Sequence, residues 1–159
     1  MTFTLSSNDI TDGGVLPDAQ VYAKGNTSPH LRWSGAPEGT KSFAVTCFDP
    51  DAPTGSGFWH WTVANIPADV TELAAGASPS GLPKAAVEGR TDFGETGFGG
   101  AAPPPGHGPH RYIFTVFAVD TDRLDLTPEN SGAVFGFNLH FHTLARASIT
   151  ATYENKGQG

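Results

Sequence analysis

A single cysteine, Cys47, stands in the whole chain, so no intrachain disulfide can staple the fold and no CxxC motif offers a zinc or redox site. Set in an apolar run, it reads as a buried strand thiol rather than a nucleophile. Cationic residues are sparse: nine Lys and Arg stand against sixteen Asp and Glu, a formal charge of −7, with no basic cluster anywhere. Phosphate neutralisation needs a concentrated positive face, which argues against nucleic acid as a partner. Long hydrophobic runs are also missing. No segment approaches the ~18 apolar residues of a membrane span. The opening MTFTLSSNDITDG has neither a basic start nor an apolar h-region, so a soluble, cytoplasmic protein is expected. Neither HExxH nor an EF-hand pattern occurs, and no structural metal or cofactor is expected.

What is abundant points to β structure. The chain has 159 residues, a one-domain length, and residues 1–159 read as one domain with neither linker nor internal repeat. Twenty glycines and thirteen prolines suit a loop-rich, mainly β protein, and 38% hydrophobic residues suffice for a full core. Phe43, Val45 and Cys47 alternate with Ser42, Ala44 and Thr46, the period of two of a strand. A second strand resumes at Phe58 in FWHWTVANI. The run HRYIFTVFAVD, His110 to Asp120, is apolar on both faces in its second half, as a covered central strand would be. Shorter β segments are expected at Gln20–Lys24, Leu31–Ser34 and Lys84–Val87. Thr127 is an N-cap candidate ahead of Pro128 and Glu129, which predicts helix to about Ala147, followed by a short strand through Ile149, Ala151 and Tyr153. Together these give a sandwich-like β domain with a minor helical element.

The chemistry concentrates in CFDPDAPTGSGFWHW, Cys47 to Trp61. Asp49-Pro50 and Ala52-Pro53 hold an extended-to-turn path, because each proline fixes its own φ and drives its predecessor out of the α region. Taken alone, Asp49 and Asp51 fit Asx turns onto local amides. In the next strand, period two sends His60 and Thr62 to one face and Trp59 and Trp61 to the other. His110 and Tyr112 share a face in the same way, opposite Arg111 and Ile113. Two strands thus each begin with an imidazole behind a glycine- or proline-rich loop, where a pocket mouth can form. In the loop AAPPPGHGPH the three prolines suit a rigid wall, and His107 is expected at the surface.

Other assignments are weaker. Asp49, His60 and His110 would form a mixed metal set, but no motif supports it, and His140 and His142 would lie on different sides of the predicted helix. A Ser56–His60–Asp49 triad can be drawn, yet Gly55-Ser56-Gly57 lacks the GxSxG spacing of a nucleophile elbow and leads into no helix.

The stretches SPHLRWSGAPEGTKSFAVTCFDPDAP, FWHWTVANIP and TDFGETGFGGAAPPPGHGPHRYIFTVFAVD, in that order, resemble the phosphatidylethanolamine-binding protein family in its bacterial Raf-kinase-inhibitor-like branch. The ending NLHFHTLARASITATYE resembles that branch too. The resemblance implies a large central antiparallel sheet, a smaller second sheet, a few short helices and an anion-binding pocket near one end. By motif, that pocket would be built from Asp49, Ala52, Pro53, His60, Pro104, His110 and Tyr112. Gly100-Ala101-Ala102-Pro103-Pro104 departs from the GPxPP of bacterial relatives by one wall proline. The expected function is non-enzymatic binding of a small phosphate-bearing or otherwise anionic group. Imidazole N–H groups, the Tyr112 hydroxyl and loop amides would hold it, while Asp49 either orients a histidine or accepts from a ligand ammonium. Inhibition or regulation of a protease or kinase is the alternative reading, with a hydrolase behind it. A homodimer is expected from the resemblance to the bacterial branch and because the C-terminal helix of eukaryotic members is missing after the last strand, which leaves apolar surface near the tail to be covered.

Overall fold

A computed structural model describes residues 2–157 of the chain. Eight strands and one α-helix form the domain: β1 (Thr4–Ser6), β2 (Leu31–Ser34), β3 (Ser42–Asp49), β4 (Phe58–Pro67), β5 (Glu72–Leu73), β6 (Val87–Glu88), β7 (His110–Val119), α1 (Gly132–His142) and β8 (Thr143–Tyr153). A large antiparallel sheet has the order β6-β4-β3-β7-β8, and a small antiparallel sheet the order β1-β2-β5.

The large sheet is covered on both faces. On one, Val45, Cys47, Val63, Phe114 and Val116 pack against Leu5, Leu31 and Trp33 of the small sheet. On the other, Ala44, Ala64, Phe117 and Val119 meet Phe135 and Leu139 of α1. This is why the centre of β7 carries apolar residues at successive positions. The helix sits close to the sheet: a Cβ on Gly132 would fall 2.1 Å from Cγ of Trp59, so only glycine fits there. Among the described residues, no helix is long and apolar enough to cross a membrane.

Four local expectations are corrected. The helix spans Gly132–His142 and is capped by Ser131, whose side chain accepts from Val134 N–H. Thr127 instead heads a turn, with Asn130 N–H donating to its carbonyl. Residues from Thr143 onward leave the helix because they complete β8, which pairs with β7 from Val119↔Thr143 to His110↔Tyr153; the ladder outweighs local helical pattern. The segment Gln20–Lys24 is no strand but follows a 3-10 turn at Asp18–Gln20, with one isolated bridge from Val21 to Ala101. Lys84–Val87 contributes only its last residue to β6.

Candidate functional site

Strands β4, β3 and β7 are sheet neighbours, so the end of β3 meets the starts of the other two. Asp49 lies opposite Phe58, and Phe48 opposite Ile113. The DPDAP turn leaves from this edge, and the Pro103-Pro104 segment closes it from the other side. Between them is a cavity of about 210 Å³. Asp49, Ala52 and Pro53 line it from the turn, His60 from β4, Pro104 from the loop, and His110 and Tyr112 from β7. Thr54, Phe58, Phe93, Ala102 and Pro103 complete the wall; of these only Pro103 belongs to the proline run expected to form one.

A bulge places His60. The pairing of β4 with β3 shifts between Cys47 and Phe48, so that Trp59 pairs with Phe48, Trp61 with Cys47, and His60 is the extra residue. Trp59 turns toward α1 and packs on Gly132, whereas Trp61 joins the core between the sheets. Thr62 faces Phe135 and Gly89. The strict alternation expected for WHWT therefore fails: Trp59 and Trp61 take opposite sides, and His60 is free to enter the pocket.

Asp49 is 2% exposed and spends both oxygens within the protein. Its Oδ1 accepts from Asp51 N–H at 2.7 Å, an Asx turn. Its Oδ2 accepts from Nδ1–H of His110 at 2.7 Å, which makes it the residue that orients a histidine. Asp51 turns away from the cavity and clamps Arg111. It accepts from that residue's backbone N–H at 2.9 Å, from Nε at 3.0 Å and from Nη2 at 2.9 Å.

His60 donates Nδ1–H to the carbonyl of Gly99 at 2.8 Å and is packed edge-on by Phe93 and Tyr112. Burial pulls its pKa below the usual histidine range, and the Gly99 carbonyl and Asp49 only partly offset this. Neutral His60 therefore keeps a lone pair on Nε2. The donor expected from this ring becomes available only on protonation. Tyr112 is buried, its phenol pushed upward chiefly by that burial and only partly offset by the backbone amide of Ala102, and its O–H has no acceptor among the described residues.

His107, expected at the surface without a role, is exposed but not idle. Its Nδ1 lies 2.7 Å from Nε2 of His110, completing a line Asp49–His110–His107. The spacing in PPPGHGPH gave no hint of this, because a glycine-flanked loop has no period to read.

The hydrolase triad does not assemble. Asp49 is paired with His110 rather than His60, and Ser56 sits on an exposed turn outside the cavity wall. Thr54 does line the wall, but its hydroxyl donates to the Gly57 carbonyl. Among the described residues, no group of three or more His, Cys, Asp or Glu is placed to hold a metal ion. His142 bonds Asp120, while His140 packs on Phe141.

Comparison with known proteins bears directly on this arrangement. The UPF0098 protein YbhB of Escherichia coli K12 is 56% identical over 157 residues, covering 94% of this chain and 98% of that protein. The crystal structure of E. coli YbcL, described as a member of the mammalian PEBP family, superposes with a TM-score of 0.94 at 52% identity, covering 96% of this chain and 98% of that one. A homologue from Chlamydia trachomatis gives 0.82 at 28% identity, covering 96% and 97%. The family model described as phosphatidylethanolamine-binding protein matches residues 6–154, a span that holds the large sheet, the helix and every residue of the cavity. By sequence and by fold, the chain belongs to the phosphatidylethanolamine-binding protein family.

Proposed function

We propose that the cavity binds a small anionic, phosphate-bearing group and performs no chemistry on it. The observation that carries this reading is the Tyr112 hydroxyl, whose O–H is buried in the pocket wall without an acceptor among the described residues. An unmet buried hydroxyl costs on the order of 1–3 kcal/mol, which a bound acceptor relieves. Beside it stand Nε2 of His60 and the Asp49-oriented ring of His110. Lys and Arg are absent from the wall, so the attraction is local and rests on hydrogen bonds and proton uptake rather than on fixed positive charge. The volume suits a phosphoryl group, and the family's description as phosphatidylethanolamine-binding agrees with a phosphorylated head group. Both oxygens of Asp49 already accept one hydrogen bond from the protein, which supports its role in orienting His110.

The test is calorimetric titration of inorganic phosphate into the wild type and Tyr112→Phe, with urea denaturation of both. We expect affinity to fall roughly tenfold in the variant while stability changes little, because the lost O–H had no internal acceptor. Equal affinities would remove Tyr112 from the site.

We further infer a homodimer. On α1 and the start of β8, Phe137 and Phe141 are 67% and 64% exposed and pack on each other, flanked by Val134 and Leu144. A contiguous apolar face of this kind marks an interaction surface.

A further inference from the structure

Neither nitrogen of His110 is free. Nδ1 donates to Asp49, and Nε2 lies 2.7 Å from Nδ1 of His107. A ring nitrogen has one lone pair or one N–H, directed in the ring plane. His107 therefore occupies the single direction along which an anionic oxygen would accept from His110. The two cannot bind there together.

His107 is held differently from the rest of the site. His110 is 1% exposed, whereas His107 is exposed on the loop between Pro104 and His110. Its neighbours Gly106 and Gly108 have φ of 73° and 90°, with open space where a Cβ would stand. Gly106 N–H donates to the Asn155 carbonyl and His107 N–H to the Pro104 carbonyl, so the backbone of this turn is held and His107 would leave by side-chain rotation. Apart from its bond to His110, the His107 ring makes no side-chain hydrogen bond among the described residues.

We propose that His107 is a built-in competitor for the pocket: it caps Nε2 of His110 while the pocket is empty and leaves when a phosphate-bearing ligand takes that position. This rests on the reading of the cavity as an anion site and names the residue that governs access to it.

The cap depends on the proton count. One proton on the line between the rings makes an N–H···N bond, whichever ring carries it. Starting from the neutral pair, in which His107 Nδ1–H is the donor, a second proton on that line makes both facing nitrogens donors and His110 cationic, and the contact becomes repulsive. Taking up that one proton opens the cap and leaves two N–H donors at the mouth, one of them on a cationic ring. The surrounding charges do not reverse this. Asp49 stands behind His110 and accepts its Nδ1–H, and Arg111 on the same strand is paired with Asp51. From β4, His60 is held toward its neutral form by burial, and the Tyr112 phenol is likewise kept neutral. The C-terminal segment bonded to the loop through Asn155 carries Glu154 and Lys156, of opposite sign.

The experiment titrates inorganic phosphate into the wild type and His107→Ala at pH 7.5 and pH 5.5. Ionisation of phosphate itself cancels in the ratio at each pH. At pH 7.5 the variant should bind roughly two- to tenfold tighter, because one hydrogen bond no longer has to break. At pH 5.5 the ratio should approach one. Without phosphate, the 15N resonance of His110 Nε2 should move on His107→Ala, as it loses its partner. Equal or weaker phosphate binding by the variant at pH 7.5 overturns the cap while leaving the anion site standing. A wild type that takes up no phosphate at either pH overturns both.

Discussion

Asp49 and Asp51 stand two residues apart in the same stiff turn and meet opposite environments. Asp49 is enclosed and serves the pocket through His110, whereas Asp51 is half-buried and ties the turn to β7 through Arg111. The Arg111 hydrogen bond holds the Asp51 carboxyl at about 2, below its ordinary 3.8, against a smaller opposing effect of burial. A carboxylate with a depressed folded value contributes stability above its unfolded value, and that contribution is lost as pH falls through the folded one. Asp51 and Arg111 side chains are 30% and 55% exposed, so solvent screening reduces the contribution to about 1 kcal/mol, the upper end for such pairs. Asp51→Asn should therefore lower stability at pH 7 by about 1 kcal/mol in urea denaturation, and the gap should narrow between pH 3.8 and 2. A gap that stays constant down to pH 2 would assign the effect to packing instead of charge.

At the scale of elements, the parts that could be read in the sequence are those whose pattern is local. Strands β3, β4 and β7 alternate or run apolar in the manner their burial demands, and the site residues lie where these strands begin or end. What escaped is set by distant pairing. The bulge that frees His60 from the tryptophan alternation arises from its register with β3. The tautomer of His60 is fixed by the carbonyl of Gly99, 39 residues away, so the imidazole expected to donate is an acceptor when neutral. The Thr127-Pro128-Glu129 signature looked like a helix start because a turn uses the same side-chain-to-backbone bonds; Ser131 is the true cap. The boundary between α1 and β8 was illegible for a related reason. The run from Gly132 to Leu144 is apolar nearly all round, and only the ladder to β7 tells the chain where to leave the helix. The wall residues Phe58 and Phe93 arrive from β4 and from a loop with no periodicity.

For the molecule as a whole, a charge of −7 keeps anions at a distance, which makes the pocket's local donors the deciding factor. The same surface carries the exposed Phe137–Phe141 pair beside the edge strand β8. Sedimentation at tens of micromolar is expected to give a dimer that Phe137→Ser/Phe141→Ser shifts toward the 16.6 kDa monomer. A wild type that sediments only as monomer would reject the interface. The most direct measurement of the central claim is titration of dimethyl phosphate, a permanent monoanion, into the wild type and His60→Ala/His110→Ala, each checked for folding by circular dichroism. An anion in contact with an imidazole favours its cation, and burial has lowered the free value for His60, so binding raises that value. Affinity should accordingly grow as pH falls from about 7.5 to 6, where histidine charge is gained. The double variant should bind roughly ten- to a hundredfold more weakly, with little pH dependence, having lost charge-assisted hydrogen bonds. Equal affinities for the two folded proteins across that range would contradict the account.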